Sequence, residues 1–112
     1  MAKKSQKSQE PKKIGEMDTP FGRALVLMSY YLNGGAPAIR LLSVETGEPF
    51  YTLTTNLPKA RIILDPDECF IKTWEENAGV IKQALLSGLF EDTGMRLPSG
   101  FCEAQIWKIL AK

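Results

Sequence analysis

Short turn signals spaced along β-compatible runs constrain this chain more than any other feature. Arg23–Leu32, RALVLMSYYL, is almost continuously apolar, and length alone leaves it as either a doubly buried strand or part of a helix. Asn33-Gly34-Gly35 follows directly and decides for a strand, because Asn-Gly supplies the positive φ angles of a tight hairpin. Ala36–Val44 returns as a second strand, and Glu45-Thr46-Gly47-Glu48 forms the next turn. Pro49–Leu57 is rich in β-branched and aromatic residues, and its alternation sets Tyr51, Leu53, Thr55 and Leu57 against Phe50, Thr52, Thr54 and Asn56. Three strands joined by short turns make an antiparallel meander.

Beyond Pro58 the signals change. Arg61–Leu64 is a short apolar piece of open state, and Asp65-Pro66-Asp67-Glu68 reads as a turn. Cys69–Trp74 is a fourth strand candidate. Ala78, Ile81 and Leu85 then recur at helical spacing, with Thr73 and Glu76 placed as a capping box, or Asn77 as the cap, and Gly88 as the stop. A helix of about three turns is expected there. Glu91–Gly94 and Pro98–Gly100 read as turns, with Met95–Leu97 a short edge strand between them. Phe101–Leu110 is the last strand, placing Cys102, Ala104, Ile106 and Leu110 on one side and Trp107 on a half-covered other. The order β-β-β-β-α-β-β gives an α+β domain, an antiparallel sheet with one helix packed on one face.

Charge divides the chain unevenly. Residues 1–16 carry Lys3, Lys4, Lys7, Lys12 and Lys13 against Glu10 and Glu16, a net of +3 within a total of only +1. With one branched aliphatic residue and no aromatics, this stretch predicts a disordered basic arm, residues 1–20, ahead of a domain over 21–112. No apolar segment of signal-peptide or membrane-spanning length is present, and a cytoplasmic location is expected. The arm's five lysines are the candidate contacts to nucleic-acid phosphates; against that stands a solvated tail, since no Arg or aromatic accompanies them.

The chain contains no histidine. That removes Ser-His-Asp and Cys-His catalysis and the commonest transition-metal ligand. Cys69 and Cys102 form no Cys-x-x-Cys motif and read as reduced, buried thiols. No phosphate-cradling glycine motif or nucleophile elbow occurs. No catalytic residue, metal or cofactor is assigned.

Asp65–Asp92 holds seven acids against Lys72 and Lys82, a net of −5. Four readings compete: a hard-cation site at Asp65 and Asp67, an acid–base carboxylate pair, a surface for a basic partner, and a solvated acidic face with turn and cap chemistry. The spacing lacks the calcium-loop pattern. The partner-binding candidates are Asp65, Asp67, Glu68, Glu75 and Glu76, with Trp107 as the aromatic nearest to an interaction surface.

Three segments carry a resemblance: Gly47–Pro58 (GEPFYTLTTNLP), Glu68–Lys72 leading to Glu76-Asn77, and Thr93–Phe101 (TGMRLPSGF). Together they resemble a family of small bacterial proteins, classed as a domain of unknown function and found in phages, plasmids and conjugative elements. The resemblance covers about residues 30–101 and brings no reaction with it. It implies an accessory protein that binds and modulates host or element machinery, inhibition of a host defence nuclease being one such role. The expectation is a non-enzymatic protein that binds an unidentified protein partner through an acidic surface. The alternative is a nucleic-acid-binding module using the arm, and no membrane partner is expected.

Overall fold

The computed structural model describes residues 10–110. Its strands are β1 (Lys12–Thr19), β2 (Gly22–Tyr30), β3 (Pro37–Ser43), β4 (Pro49–Thr52), β5 (Glu68–Ile71), β6 (Phe90–Ser99) and β7 (Cys102–Ile109). One α-helix, α1 (Ile81–Leu86), lies between β5 and β6, and short 3-10 helices occupy Pro58–Ile63 and Glu75–Gly79. The fold is α+β and every strand pair is antiparallel. No helix among the described residues is long and apolar enough to cross a membrane.

Hydrogen bonding groups the strands as β1-β2-β3-β4 and β5-β7-β6. A bridge between Thr54 and Ile71 connects the two sheets, reinforced by Thr55 N–H to Phe70 O at 3.0 Å and Lys72 N–H to Leu53 O at 2.8 Å. β1 and β6 are thus the outermost strands, yet α1 contacts both. A six-residue helix is only about 9 Å long, so the succession of strands must curl until its two free edges approach one seam. The helix fills that seam.

Inside the curl lie Met17, Val26, Ile39, Leu41, Leu53 and Trp107, with Val80 and Ala84 closing the core from the helical side. A second, smaller cluster of Ala36, Leu64, Phe70 and Ile106 sits apart, with Leu57 and Ala60 from around the Pro58–Ile63 turn packed against it. β7, the middle strand of its sheet, contributes to both: Trp107 and Ile109 to the first cluster, Ile106 to the second.

Four expectations are corrected. Residues 12–19 are not part of an arm: they form β1, with Ile14 and Met17 buried and a bulge between Lys13 and Gly15. The helix is a five-residue 3-10 segment followed by a six-residue α segment, and Thr73 and Glu76 form no capping box; Thr73 Oγ1 donates to Glu103 O instead. Glu91–Gly94 belongs to a ten-residue β6 whose pairing skips between Asp92 and Arg96. Trp107 is fully buried. Lys3, Lys4 and Lys7 lie outside the described residues.

Gly15 shows how tightly the seam closes. A Cβ there would stand 2.7 and 2.8 Å from the two Leu89 methyl groups, closer than carbon atoms tolerate. Gly15→Val is expected to destabilise the fold by about 1–3 kcal/mol in urea unfolding. In a Leu89→Ala background the same substitution should cost clearly less; an equal cost in both backgrounds would refute the contact.

Candidate interaction surface

The strand register sorts the acidic residues into two groups. β5 is four residues long, about 13 Å, and the acids stand at its opposite ends. At the start, Glu68 Oε1 accepts the Asp65 N–H at 2.9 Å, and the Asp67 carbonyl accepts the Ile109 N–H at 2.7 Å. Glu68 pairs with Lys108 on β7, and Lys108 pairs in turn with Glu91 on β6. Partners across a ladder share a face, so Glu68, Lys108 and Glu91 form one row about 10 Å long. Asp65, Asp67 and Glu91 are exposed and Glu68 is half-buried. Four carboxylates thus lie at one end of the sheet, with Lys108 between two of them in the ladder.

Of the other three acids, Asp92 pairs with Arg96 on β6 at 2.9 Å, and Glu75 and Glu76 sit beyond the far end of β5. Lys72 reaches Glu75 at 3.0 Å and Glu76 at 3.5 Å. These two carboxylates, chiefly through the hydrogen bond to Glu75, hold the Lys72 ammonium above its ordinary pKa. Glu76 is held below the usual carboxylate range, first by a hydrogen bond from its own backbone N–H and also by Lys72. Glu75 has φ +58°, a left-handed conformation unusual for a residue with a Cβ. Glu75 and Glu76 are therefore engaged locally, and the −5 segment is not one continuous surface.

Among the other candidates, Trp107 Nε1 donates to Gln105 Oε1 at 2.8 Å and its ring packs against Phe90 at 5.7 Å, so it presents nothing to a partner. Lys12 and Lys13 lie on β1, and Lys13 is paired with Glu16 at 2.9 Å. Glu91 was the residue that local sequence reading placed outside the candidate set. It joins the site only through Lys108, a relation set by β7 running between β5 and β6.

The cysteines are separated by the same register. Cys69 faces Trp107, five residues along β7 from Cys102, which puts the two about 17 Å apart and rules out a disulfide between them. Burial pushes the Cys69 thiol up to about 12, while Cys102 is half-buried at the start of β7. Maleimide is expected to label Cys102 alone in the native protein and both thiols in denaturant. Rapid native labelling at Cys69 would contradict the fold.

Grooves also open on the surface. One, of about 420 Å³, is apolar and runs along Leu57, Pro58, Ala60, Leu97 and Pro98; another, of about 310 Å³, lies between Glu16, Asp18, Arg23 and Gln83. Among the described residues, no three Cys, Asp or Glu side chains are grouped to hold a metal ion. Comparison with protein-family models, curated proteins and solved structures finds no match to this chain.

Proposed function

We propose that this chain is a non-enzymatic accessory protein that binds a basic surface of a protein partner. The observation that supports this reading is the convergence of Asp65, Asp67, Glu68 and Glu91 at one end of the β5-β7-β6 sheet, with Lys108 the one base in their row. Exposed like charges held by a rigid ladder steer association with an oppositely charged surface and fix its register. The basic groove of a nucleic-acid-processing enzyme offers such a surface. The resemblance to mobile-element proteins favours a host defence nuclease as the partner, which the acidic end would occupy in place of phosphates.

The test is affinity capture from nuclease-treated bacterial lysate with three proteins side by side. The intact chain should retain a basic partner. The Asp65→Lys, Asp67→Lys, Glu91→Lys triple variant should lose it, while Glu75→Lys with Glu76→Lys should keep it, because those acids are already engaged by Lys72. Undiminished capture by the triple variant would end the acidic-end reading.

A further inference from the structure

The turn between β2 and β3 holds a reactive pair of residues that the fold leaves open. The chain has three asparagines, and their surroundings differ. Asn77 is fully buried, with Nδ2 donating to Thr52 O and Lys72 O. Asn56 is half-buried, its Nδ2 donates to Asn33 O at 3.1 Å, and the bulky Leu57 follows it. Asn33 is exposed, its side-chain amide bonds to nothing among the described residues, and Gly34 follows it. Two main-chain bonds tie the turn, Tyr31 N–H to Ala36 O at 2.8 Å and Gly35 N–H to Tyr31 O at 3.1 Å. The Gly34 N–H takes part in neither and donates to nothing among the described residues. With no side chain on Gly34, nothing shields its nitrogen from the Asn33 carboxamide.

We propose that Asn33-Gly34 is a spontaneous modification site, where the folded chain converts to an isoaspartyl form that loosens the 3-10 helix Pro58–Ile63. Hydroxide takes the Gly34 amide proton and the nitrogen bonds to Asn33 Cγ. The Cγ–Nδ2 bond breaks, and Nδ2 departs as ammonia with a proton from water. A five-membered imide remains, and water opens it at one of its two carbonyls. Opening at Cγ gives an ordinary aspartyl residue; opening at the main-chain carbonyl routes the chain through Cβ and Cγ, the isoaspartyl form. Both products bring the net charge from +1 to zero. Only the isoaspartyl form lengthens the main chain, by one carbon. The turn has little room for it, since a Cβ on Gly34 would already stand 3.1 Å from Pro58 Cα and Cβ. The Asn33 carbonyl that Asn56 holds also leaves the main chain, as a free carboxylate. Pro58 begins the 3-10 helix, and Leu57 and Ala60 seat it on the second cluster. A turn displaced from Pro58 therefore removes the brace of that helix. Asp65, Asp67, Glu68 and Glu91 take no part, so the site does not depend on the partner-binding reading.

The folded full chain, aged in mildly alkaline buffer beside the same chain unfolded in guanidinium chloride, reads the chemistry by intact mass and peptide mapping. The folded chain should gain about one dalton at Asn33, no more than about tenfold more slowly than the unfolded one, because exposed loop tips open at little cost. Asn77 should convert in the unfolded chain alone. Asn33→Gln, which would need a six-membered ring, should keep its mass at that position. Trypsin reads the consequence, because Lys59 and Arg61 lie within the 3-10 helix. Chain aged until position 33 is mostly isoaspartyl should be cut there at least about threefold faster than fresh chain. Freshly made Asn33→Asp carries the charge without the extra carbon and should be cut at the fresh rate. A folded chain that keeps its mass while the unfolded one gains it, or that gains it at Asn56 or Asn77 instead, would overturn the site. Equal cutting of aged, fresh and Asn33→Asp chains would overturn the loosening.

Discussion

Trp107→Ala is expected to destabilise the protein by about 3–5 kcal/mol. The side chain is fully buried, its ring packs against Phe90 with planes 48° apart, and its indole N–H is satisfied by Gln105. Truncation removes the largest fully buried side chain of the first core and leaves the Gln105 carbonyl without its donor. It also empties the middle of the strand that both cores share. For a domain with about 5–15 kcal/mol in total, that is a large fraction of the stability. Thermal unfolding should shift downward by about 15–25 °C, and Trp107→Phe, which keeps a ring against Phe90, should lose markedly less. A tryptophan at an open interaction surface would instead give a change within about 0.5 kcal/mol, so a loss that small would place Trp107 outside the core.

Why Trp107 read as half-exposed from sequence is physically clear. Alternation identifies a buried face only when the other face is wet. In FCEAQIWKIL both sets of alternating positions contain large apolar residues, because β7 is flanked by strands on both sides and covered on both faces. The β2–β3 hairpin was legible for the opposite reason: Gly34 and Gly35 adopt φ +92° and +77°, and few other residue types do so freely. β1 escaped because its inward positions include Gly15 and Thr19, so its row carries little hydrophobic signal and the adjacent lysines dominate the reading. The space that a larger side chain would take at Gly15 belongs to Leu89.

The acidic site divides along the same line. Glu68 bonded to the Asp65 N–H and Lys72 paired with Glu75 and Glu76 are local relations within four residues, accessible to a sequence reader. The gathering of Glu91 with Glu68 through Lys108 is not local. It depends on a strand order in which β7 inserts between β5 and β6, and no residue near Glu91 encodes that order. Composition located the charge; topology decided which charges share one end of the sheet.

Asn77→Asp is expected to destabilise the fold in a strongly pH-dependent way. Asn77 is fully buried, and its Nδ2 donates to Thr52 O at 2.8 Å and to Lys72 O at 2.9 Å. One amide group thereby fastens the Glu75–Gly79 turn to the end of β4 and to the residue after β5. An aspartate oxygen in that place faces two carbonyl oxygens. When neutral it has a single donor for them, so a loss of about 1–3 kcal/mol is present even in acid. When ionised it has none, and both burial and the carbonyl dipoles oppose its charge, raising its pKa in the folded state. A group with a raised folded pKa has its extra stability in place below the unfolded value, near pH 3.9 for Asp, and loses it as pH climbs toward the folded value, at about 1.4 kcal/mol per pH unit. The gap between wild type and Asn77→Asp in urea unfolding should therefore widen from pH 4 to pH 7.5, the window set by that raised pKa. Asn77→Ala also abandons both carbonyls but adds no titrating group, so its cost relative to wild type should stay level across the same range. Parallel pH profiles for the two variants would show that the position 77 side chain is not held against those carbonyls.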